Sequence, residues 1–399
     1  EISIAIIGAG ITSLALAHGL LQHPHIKLRI YEARPKLGED GTGVGIGANG
    51  QNALSLISPQ LRQSLDDAGA VKCVPSLRLM LAAGSYAGTL VKEMDYDPPQ
   101  ATVVRSRWVF EMVKAVPEGV VQTGKRLAGI EEVASSGKVR MTFEDGGEEL
   151  VDGLIGCDGI NSYVRSYVFP SAEGIWSTGF NTRMMIPITE GRAIFGDEYC
   201  AKQVQTGWVG DAGFCMTDFE DGGDLMQVIA GFQTDEHIPE LLGKAYAEVP
   251  KSLFLDPLQS WGWIGERISE VIRRQEKMFA GARRVSPIAT TYVRGKVCVS
   301  GDAARAFSPA RGAGASAGIE DALALSALLG EARRPADVGK AFALYDKLRR
   351  PRRDEVAEAS LDAGRIITGT HPDAGTDLEK LRAKVADWNG FIYRYDLKG

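Results

Sequence analysis

Apolar and polar positions alternate with three different textures along the chain. The first stretch, EISIAIIGAGITSLALAHGLL, places an unbroken apolar run from Ile4 to Ile7 ahead of a glycine turn, then a second run from Leu14 to Leu20. Such runs predict a strand buried on both faces and a helix buried all round. KLRIYEARP supplies a second strand ending in Glu32, and Asn52 to Ala68 has the spacing of a helix. ATVVRSRWVFEMVKAV predicts a loop entering a helix with Arg105 at its mouth, and KVRMTFEDGGEELVDGLIGCDG a hairpin followed by a buried strand, Gly153 to Cys157. From about residue 175 to 285 the texture changes to short segments between turns, TRMMIPI, RAIFGD, KQVQTGWVG, AGFCMTDFEDGG and DLMQVIAGF, which predicts an antiparallel meander. KVCVSGDAARAFSPARGAGASAGIEDALALSALL then returns to strand, loop and helix, and the tail from Lys340 is helical and charged. Strand and helix alternate at both ends, so the first lobe is a doubly wound sheet completed by distant segments.

A chain of 399 residues with 44% hydrophobic composition can bury two cores. Its net charge of −6 sets the overall field against nucleic acid and anionic membranes as partners. The basic run Arg349-Arg350-Pro351-Arg352-Arg353 is expected to be a solvated or salt-bridged helix face. Ile2 to Leu21 carries no acidic, lysine or arginine side chain, yet its Gly-Ala-Gly break and interrupting Thr12, Ser13 and His18 argue against a signal peptide or membrane span. Because the chain begins on its first strand, a leader could precede it. Five cysteines (73, 157, 200, 215, 298) without C-x-x-C predict reduced thiols and a cytoplasmic setting, and five histidines (18, 23, 25, 237, 371) show no metal-ligand spacing.

Two glycine clusters compete for a nucleotide. GVGIGANG holds a literal G-x-G-x-x-G at Gly45, Gly47 and Gly50, whereas GAGITS has Ser13 in place of the third glycine. The physics favours the broken motif. A dinucleotide turn needs a strand before it and a helix N-terminus after it, with Gly8 making the turn and Gly10 admitting the pyrophosphate. The third position serves helix–strand packing, where serine is a small substitute, and Glu32 stands about 20 residues on, where it can accept from ribose hydroxyls. GIGANG follows GEDGT, with no strand before it and no acid ending a strand after it. Two further strand tips carry an acid, GCDG at 156–159 and SGDAAR at 300–305, and ligands of open α/β sheets gather at such tips.

The segments IIGAGITSLALA, IYEARP, GVGIGANGQNAL, VVRSRW, LIGCDGINSYVR, VCVSGDAARAFSPARGAGASAGIEDA and YDKLRRPRRDEVAEAS together resemble the FAD-dependent aromatic hydroxylases, the group A flavoprotein monooxygenases. The resemblance covers nearly the whole chain in the family's order, and is strongest to a salicylate-hydroxylase-like branch that includes fungal secondary-metabolism enzymes. It implies an α/β fold: a Rossmann-like FAD-binding lobe, a second substrate lobe on a mostly antiparallel sheet, and C-terminal helices. The expected division is 1–174 with a small β excursion near 73–100, 175–285 for substrate, 286–345 completing the FAD lobe, and 346–399 as a helical tail.

By that resemblance Gly8, Gly10, Ser13, Glu32 and Arg34 form the ADP site, Gly45 and its neighbours border the flavin, and Arg105 contacts the cofactor. Asp158 belongs to a segment linked to FAD and the nicotinamide coenzyme, Asp302 bonds the ribityl chain, and Pro309, Gly312, Gly314 and Ala315 wrap the isoalloxazine. A helix opening near Gly314 would aim its N–H groups at the charge of reduced flavin. The implied reaction uses NADPH or NADH, docked transiently, and O2, with a flavin C4a-hydroperoxide hydroxylating or epoxidising a phenol, polyketide ring or indole. Arg183 matches an arginine that positions the substrate in some relatives, and is the catalytic candidate. Two departures, Asp218-Phe219 for Tyr-Pro and Arg305 for the histidine of GDAAH, set the chain apart from a simple salicylate enzyme. The expected partners are a small aromatic and O2, with no metal, and the expected state is a monomer or homodimer.

Three readings compete. GASAG at 314–318 matches the nucleophile elbow G-x-S-x-G, making Ser316 with His371 a serine-hydrolase candidate, although the loop SPARGA rather than a strand precedes it. WGWIGE is similar to the W-x-W-x-I-P of flavin halogenases, but Gly265-Glu266 replaces Ile-Pro and packing is the expected role of Trp261 and Trp263. The third is a flavin-binding protein without monooxygenase turnover.

Overall fold

The computed structural model describes residues 1–38, 42–170, 175–234, 238–241, 244 and 246–397, with 175–178 as backbone alone. His237 and part of the GEDGT stretch lie outside the described residues. The Ile2–Ile7 strand sits at the centre of a six-stranded sheet, between Ile26–Glu32 and Gly153–Gly156. Val297–Val299 adds in parallel beyond Gly153–Gly156, and Val121–Thr123 beyond Ile26–Glu32. These short parallel strands are buried on both faces, which is why their sequences are runs of Ile, Leu and Val rather than alternations.

Helix Ile11–Leu20 packs on helix Gly314–Gly330, and small residues set the closeness. A Cβ on Gly318 would meet Thr12 Oγ1 at 2.2 Å, and one on Gly19 would meet Ser326 Cβ at 2.4 Å. One core runs through sheet and helices together, from Ile4 and Leu14 to Phe342 and Tyr345. A three-stranded antiparallel sheet, Leu127–Val133, Lys138–Phe143 and Glu148–Val151, leads into the Gly153–Gly156 strand.

The second large sheet has eight strands in the order Tyr246–Val249, Met278–Val285, Ile175–Pro187, Leu225–Phe232, Gly213–Glu220, Thr206–Val209, Leu77–Leu81, Leu90–Met94. All pairings are antiparallel except that of Thr206–Val209 with Leu77–Leu81. The excursion near 73–100 thus joins the edge of this sheet. One face carries Met184, Ile186, Cys215, Phe219, Val228 and Ala230 onto helices Ser252–Leu258 and Gly262–Arg274, where Trp261 is buried. The other face turns Arg183, Met216, Asp218 and Gln227 toward the first lobe.

Four local expectations are corrected. RAIFGD is not a strand: Pro187 ends the preceding strand, and Gly191, Ile194 and Phe195 bury one face of a helix, Ile188–Phe195. The single helix expected over 52–68 is two, Ala48–Ile57 and Pro59–Asp67, because Ser58 is extended, caps the second helix and precedes a proline. Ala101–Val104 is a strand rather than a loop, and it pairs antiparallel with Gly43–Ile46, so GIGANG does follow a strand of its own. That strand lies in a small antiparallel sheet with Val71–Lys72, which is not the parallel setting of a dinucleotide turn.

The basic run lies on the 30-residue helix Val338–Ile367. It is salt-bridged, and Arg349, Arg352 and Arg353 are buried rather than solvated. Arg349 spans Glu320 (2.5 Å) and Asp321 (2.9 Å), and Arg353 reaches Asp321 at 2.7 Å. Among the described residues no helix is long and apolar enough to cross a membrane.

Candidate active site

Three strand tips converge beside the first helix. Gly8 has φ +94°, a conformation glycine alone adopts without strain. A Cβ there would also lie 2.5 Å from the Cys157 carbonyl oxygen, so the GCDG tip presses on the GAG turn. Gly301 of SGDAAR approaches Thr12 in the same way. Gly10 is the N-cap of helix Ile11–Leu20 and no side chain caps that end. Its first-turn N–H groups therefore remain available to an anion.

Glu32 closes this turn: Oε2 accepts from Ala9 N at 2.8 Å and Oε1 from Arg34 N at 2.9 Å. Arg105 Nη2 stands against Gly10. Ser13 is buried at the packing position, its Oγ without a hydrogen-bond partner among the described residues. Asp158 is placed differently. Its carboxylate takes Ser162 Oγ (2.5 Å), Tyr163 N (2.8 Å) and Val164 N (3.2 Å), so it caps helix Tyr163–Val168, while burial pushes its pKa up.

A cavity of about 290 Å³ opens between the lobes. Gly45, Asp302, Pro309, Gly312, Gly314 and Ala315 form one wall, and Arg183 stands in the other. Asp302 is open to the cavity yet deep in the protein, and desolvation raises its pKa against the opposing pull of Arg353, Arg105 and Arg165. Its loop is braced from behind: Asp321 Oδ2 accepts from Gly301 N, and Arg353 donates to both Asp321 and the Arg305 carbonyl. Arg305, the departure from GDAAH, is buried and donates to Ser286 O at 2.8 Å. Helix Gly314–Gly330 begins without a side-chain cap and without an acid in its first turn, so its positive end faces the cavity wall. Arg183 donates to Gly43 O at 3.3 Å, and desolvation pulls its pKa down against Asp218, Tyr246 and Glu220.

Several lining groups escaped the sequence. A hydrogen-bonded series runs Tyr393, Gln100, Gln205, Asp218, Gln227, Gly43 along the back of the cavity. Ile367, Trp388 and Asn389 bring the tail to the same cavity, and the Arg311 guanidinium sits 4.5 Å from the Trp388 ring centroid. The sequence marked Asp218 as a departure from Tyr-Pro without giving it a role, and polarity at alternate positions of an apolar strand, Asp218 and Glu220, was a further signal. The hydrolase alternative loses its triad: Ser316 is buried and accepts from Gly47 N, whereas His371 faces Asp362 and Asp373 N. All five cysteines are free, and among the described residues no cluster of His, Cys, Asp and Glu could hold a metal.

An open glycine turn, an acid at the second strand's end, two uncapped helix N-termini and a carboxyl open to the cavity fit an extended, anionic dinucleotide flavin. Residues 269–360 match the family model described as an FAD binding domain. The chain is 32% identical to 6-methylsalicylate 1-monooxygenase atA of Aspergillus terreus, over 98% of this chain and 88% of that protein. It is 30% identical to a salicylate hydroxylase of Pseudomonas putida, over 99% and 92%. A solved salicylate hydroxylase substrate complex superposes with TM-score 0.83 at 23% identity, covering 100% and 96% of the two chains. CtdE, solved with FAD and a substrate, gives TM-score 0.84 at 18% identity, over 100% and 96%. The chain belongs to the FAD-dependent monooxygenases of the aromatic-hydroxylase type, in their salicylate-hydroxylase-like branch, and its cofactor is FAD.

Proposed function

We propose that this enzyme uses NADPH or NADH and O2 to hydroxylate or epoxidise a small aromatic compound held between the flavin wall and Arg183. One observation carries the reading: a single cavity has the Asp302–Ala315 loop on one side and Arg183 on the other. FAD supplies hydride acceptance and oxygen activation, which no protein side chain provides. Gly8, Gly10, Glu32, Arg34 and Arg105 hold the ADP half, with Ser13 packing the helix against the sheet. Asp302 meets the ribityl hydroxyls, and Gly45, Pro309, Gly312, Gly314 and Ala315 border the ring. Asp158 serves this site from behind, by fixing the tip that presses on Gly8.

Arg183 carries the substrate role. Its guanidinium lies on the cavity face, tied to the Gly43 carbonyl of the segment bordering the flavin, so one side chain can orient a phenolic oxygen relative to the ring. Leu77, Leu79 and Ile229 add apolar surface to the same cavity, which helps to exclude water. The relatives named for salicylate and 6-methylsalicylate support a phenol-like ring as substrate class, and the fungal relatives a role in secondary metabolism. We assign 175–285 to substrate and 1–174 with 286–345 to FAD, the excursion at 73–100 contributing to the substrate wall.

The test is the absorbance of the purified protein, followed by anaerobic addition of NADPH or NADH with and without phenols and indoles. Bleaching of the flavin bands accelerated by one aromatic, with oxygenated product in air, is the expected result. Flavin that is never reduced, or reduced without product from any aromatic, would leave a flavin-binding protein without turnover.

A further inference from the structure

The cavity face of the sheet places Met185, Gln227 and Asp218 side by side in one register row, next to the row of Arg183, Ile229 and Met216. Asp218 is 2% exposed and lines the cavity. Its carboxyl is gripped from both sides. Gln227 Nε2 donates to Oδ1 at 2.9 Å and Gln205 Nε2 to Oδ2 at 3.0 Å.

A backbone N–H fixes the direction of the Gln227 bond. Gly43 N–H can only donate, and it meets Gln227 Oε1 at 3.1 Å, which leaves the amide N–H2 for Asp218. On the other side, Tyr393 Oη donates to Gln100 Oε1 (3.0 Å) and Gln100 Nε2 to Gln205 Oε1 (2.7 Å), so Gln205 also presents N–H2. Burial pushes the Asp218 pKa up, and against it two N–H donors, one on each oxygen, and the nearby charge of Arg183 favour the ionised carboxylate. Each oxygen keeps a second acceptor position.

We propose that Asp218 is a specificity-determining residue: its carboxylate accepts a hydrogen bond from the substrate near Arg183, selecting an aromatic with a phenolic O–H or ring N–H there and disfavouring an ionised carboxyl group. The inference rests on the oxygenase reading above and narrows its substrate class. A like charge beside a desolvated carboxylate is costly, whereas a donor completes its hydrogen bonding. Glu220, on the same face two residues on, does not replace it: neither of its oxygens has a hydrogen-bond partner among the described residues. Arg283 lies at the far end of the wall and donates to Phe232 O, and Asp302 stands on the cofactor side.

The experiment titrates FAD-loaded wild type, D218N and D218S with two matched pairs, phenol against salicylate and 1-naphthol against 1-hydroxy-2-naphthoate, following the flavin absorbance change. Wild type should bind the phenol of each pair more tightly than the acid. Both variants should shift that ratio toward the acid by about tenfold or more, with FAD content unchanged. D218S guards against a misfolded D218N. A wild type that prefers the acids, or a ratio the variants leave alone, overturns the assignment while the oxygenase reading stands if NAD(P)H still bleaches the flavin. No response to any aromatic, with no product, overturns both.

Discussion

Replacing Glu220 by glutamine keeps the volume and polarity of the side chain and removes its titration. Glu220 is fully buried on the strand Gly213–Glu220, packed against Gly43, so close that a Cβ on that glycine would lie 2.0 Å from Oε1. Desolvation first and the neighbouring Asp218 second push its pKa up to about 10, with Arg183 pulling the other way. The nearby groups that can titrate are Asp218, Arg183 and Cys73, whose thiol is itself pushed up to about 12. In the unfolded chain a glutamate releases its proton near pH 4.3. Between those two values the native state therefore binds one proton more than the unfolded state, and stability falls as pH rises.

The slope is about 1.4 kcal/mol per pH unit for one such group. From about pH 6 to about pH 8.5 Glu220 alone removes about 3 kcal/mol, and the slope is the same for any native pKa above that upper pH. Urea unfolding of the FAD-loaded protein across this range measures it. Wild type should lose about 3 kcal/mol more than E220Q over the interval, with E220Q gaining on wild type as pH rises. Parallel pH dependences for the two proteins would refute a neutral, buried Glu220.

Arg183→Ala should retain FAD and lose product formation, and unchanged coupled turnover would remove Arg183 from the mechanism. Asp302→Ala should purify with little flavin while its circular dichroism matches wild type, whereas full yellow colour would count against its role. Arg353→Met leaves Asp321 buried with the Arg349 ion pair alone, and should cost about 3–5 kcal/mol in denaturant unfolding. The double variant Arg353→Met, Asp321→Leu should restore part of that loss, because no carboxylate is then left under-compensated.

The cofactor half of this enzyme was legible because its physics is local. A strand, a glycine turn and a helix start occupy consecutive residues, so GAGITS and Glu32 could be placed before any contact was known. Gly45, Asp302 and Gly314 sit within such short motifs as well. The substrate half depends on pairings far apart in sequence. Asp218 meets Gln205 and Gln227 across strands, and Tyr393 reaches Gln100 from 293 residues away. No periodicity announces a cavity wall assembled in that way. RAIFGD misled for a related reason: six residues cannot separate an alternating pattern from one helical face, and the packing of Ile194 and Phe195 decides it. The arginine run was expected to face water or acids on the surface, and the acids proved to be Glu320 and Asp321 inside the core.

The order of strands in the six-stranded sheet sets an order of birth. Ile2–Ile7 is made first, but its neighbour Gly153–Gly156 follows about 150 residues later, and Val297–Val299 later still. Loop closure over such spans is slow, and parallel pairing has no local hairpin to start it. All eight strands of the other large sheet are complete by Val285, so on the ribosome that sheet can form while the nucleotide sheet still lacks Val297–Val299. The cleft for FAD is thus among the last parts to close, and cofactor capture becomes a late seal on assembly rather than its seed.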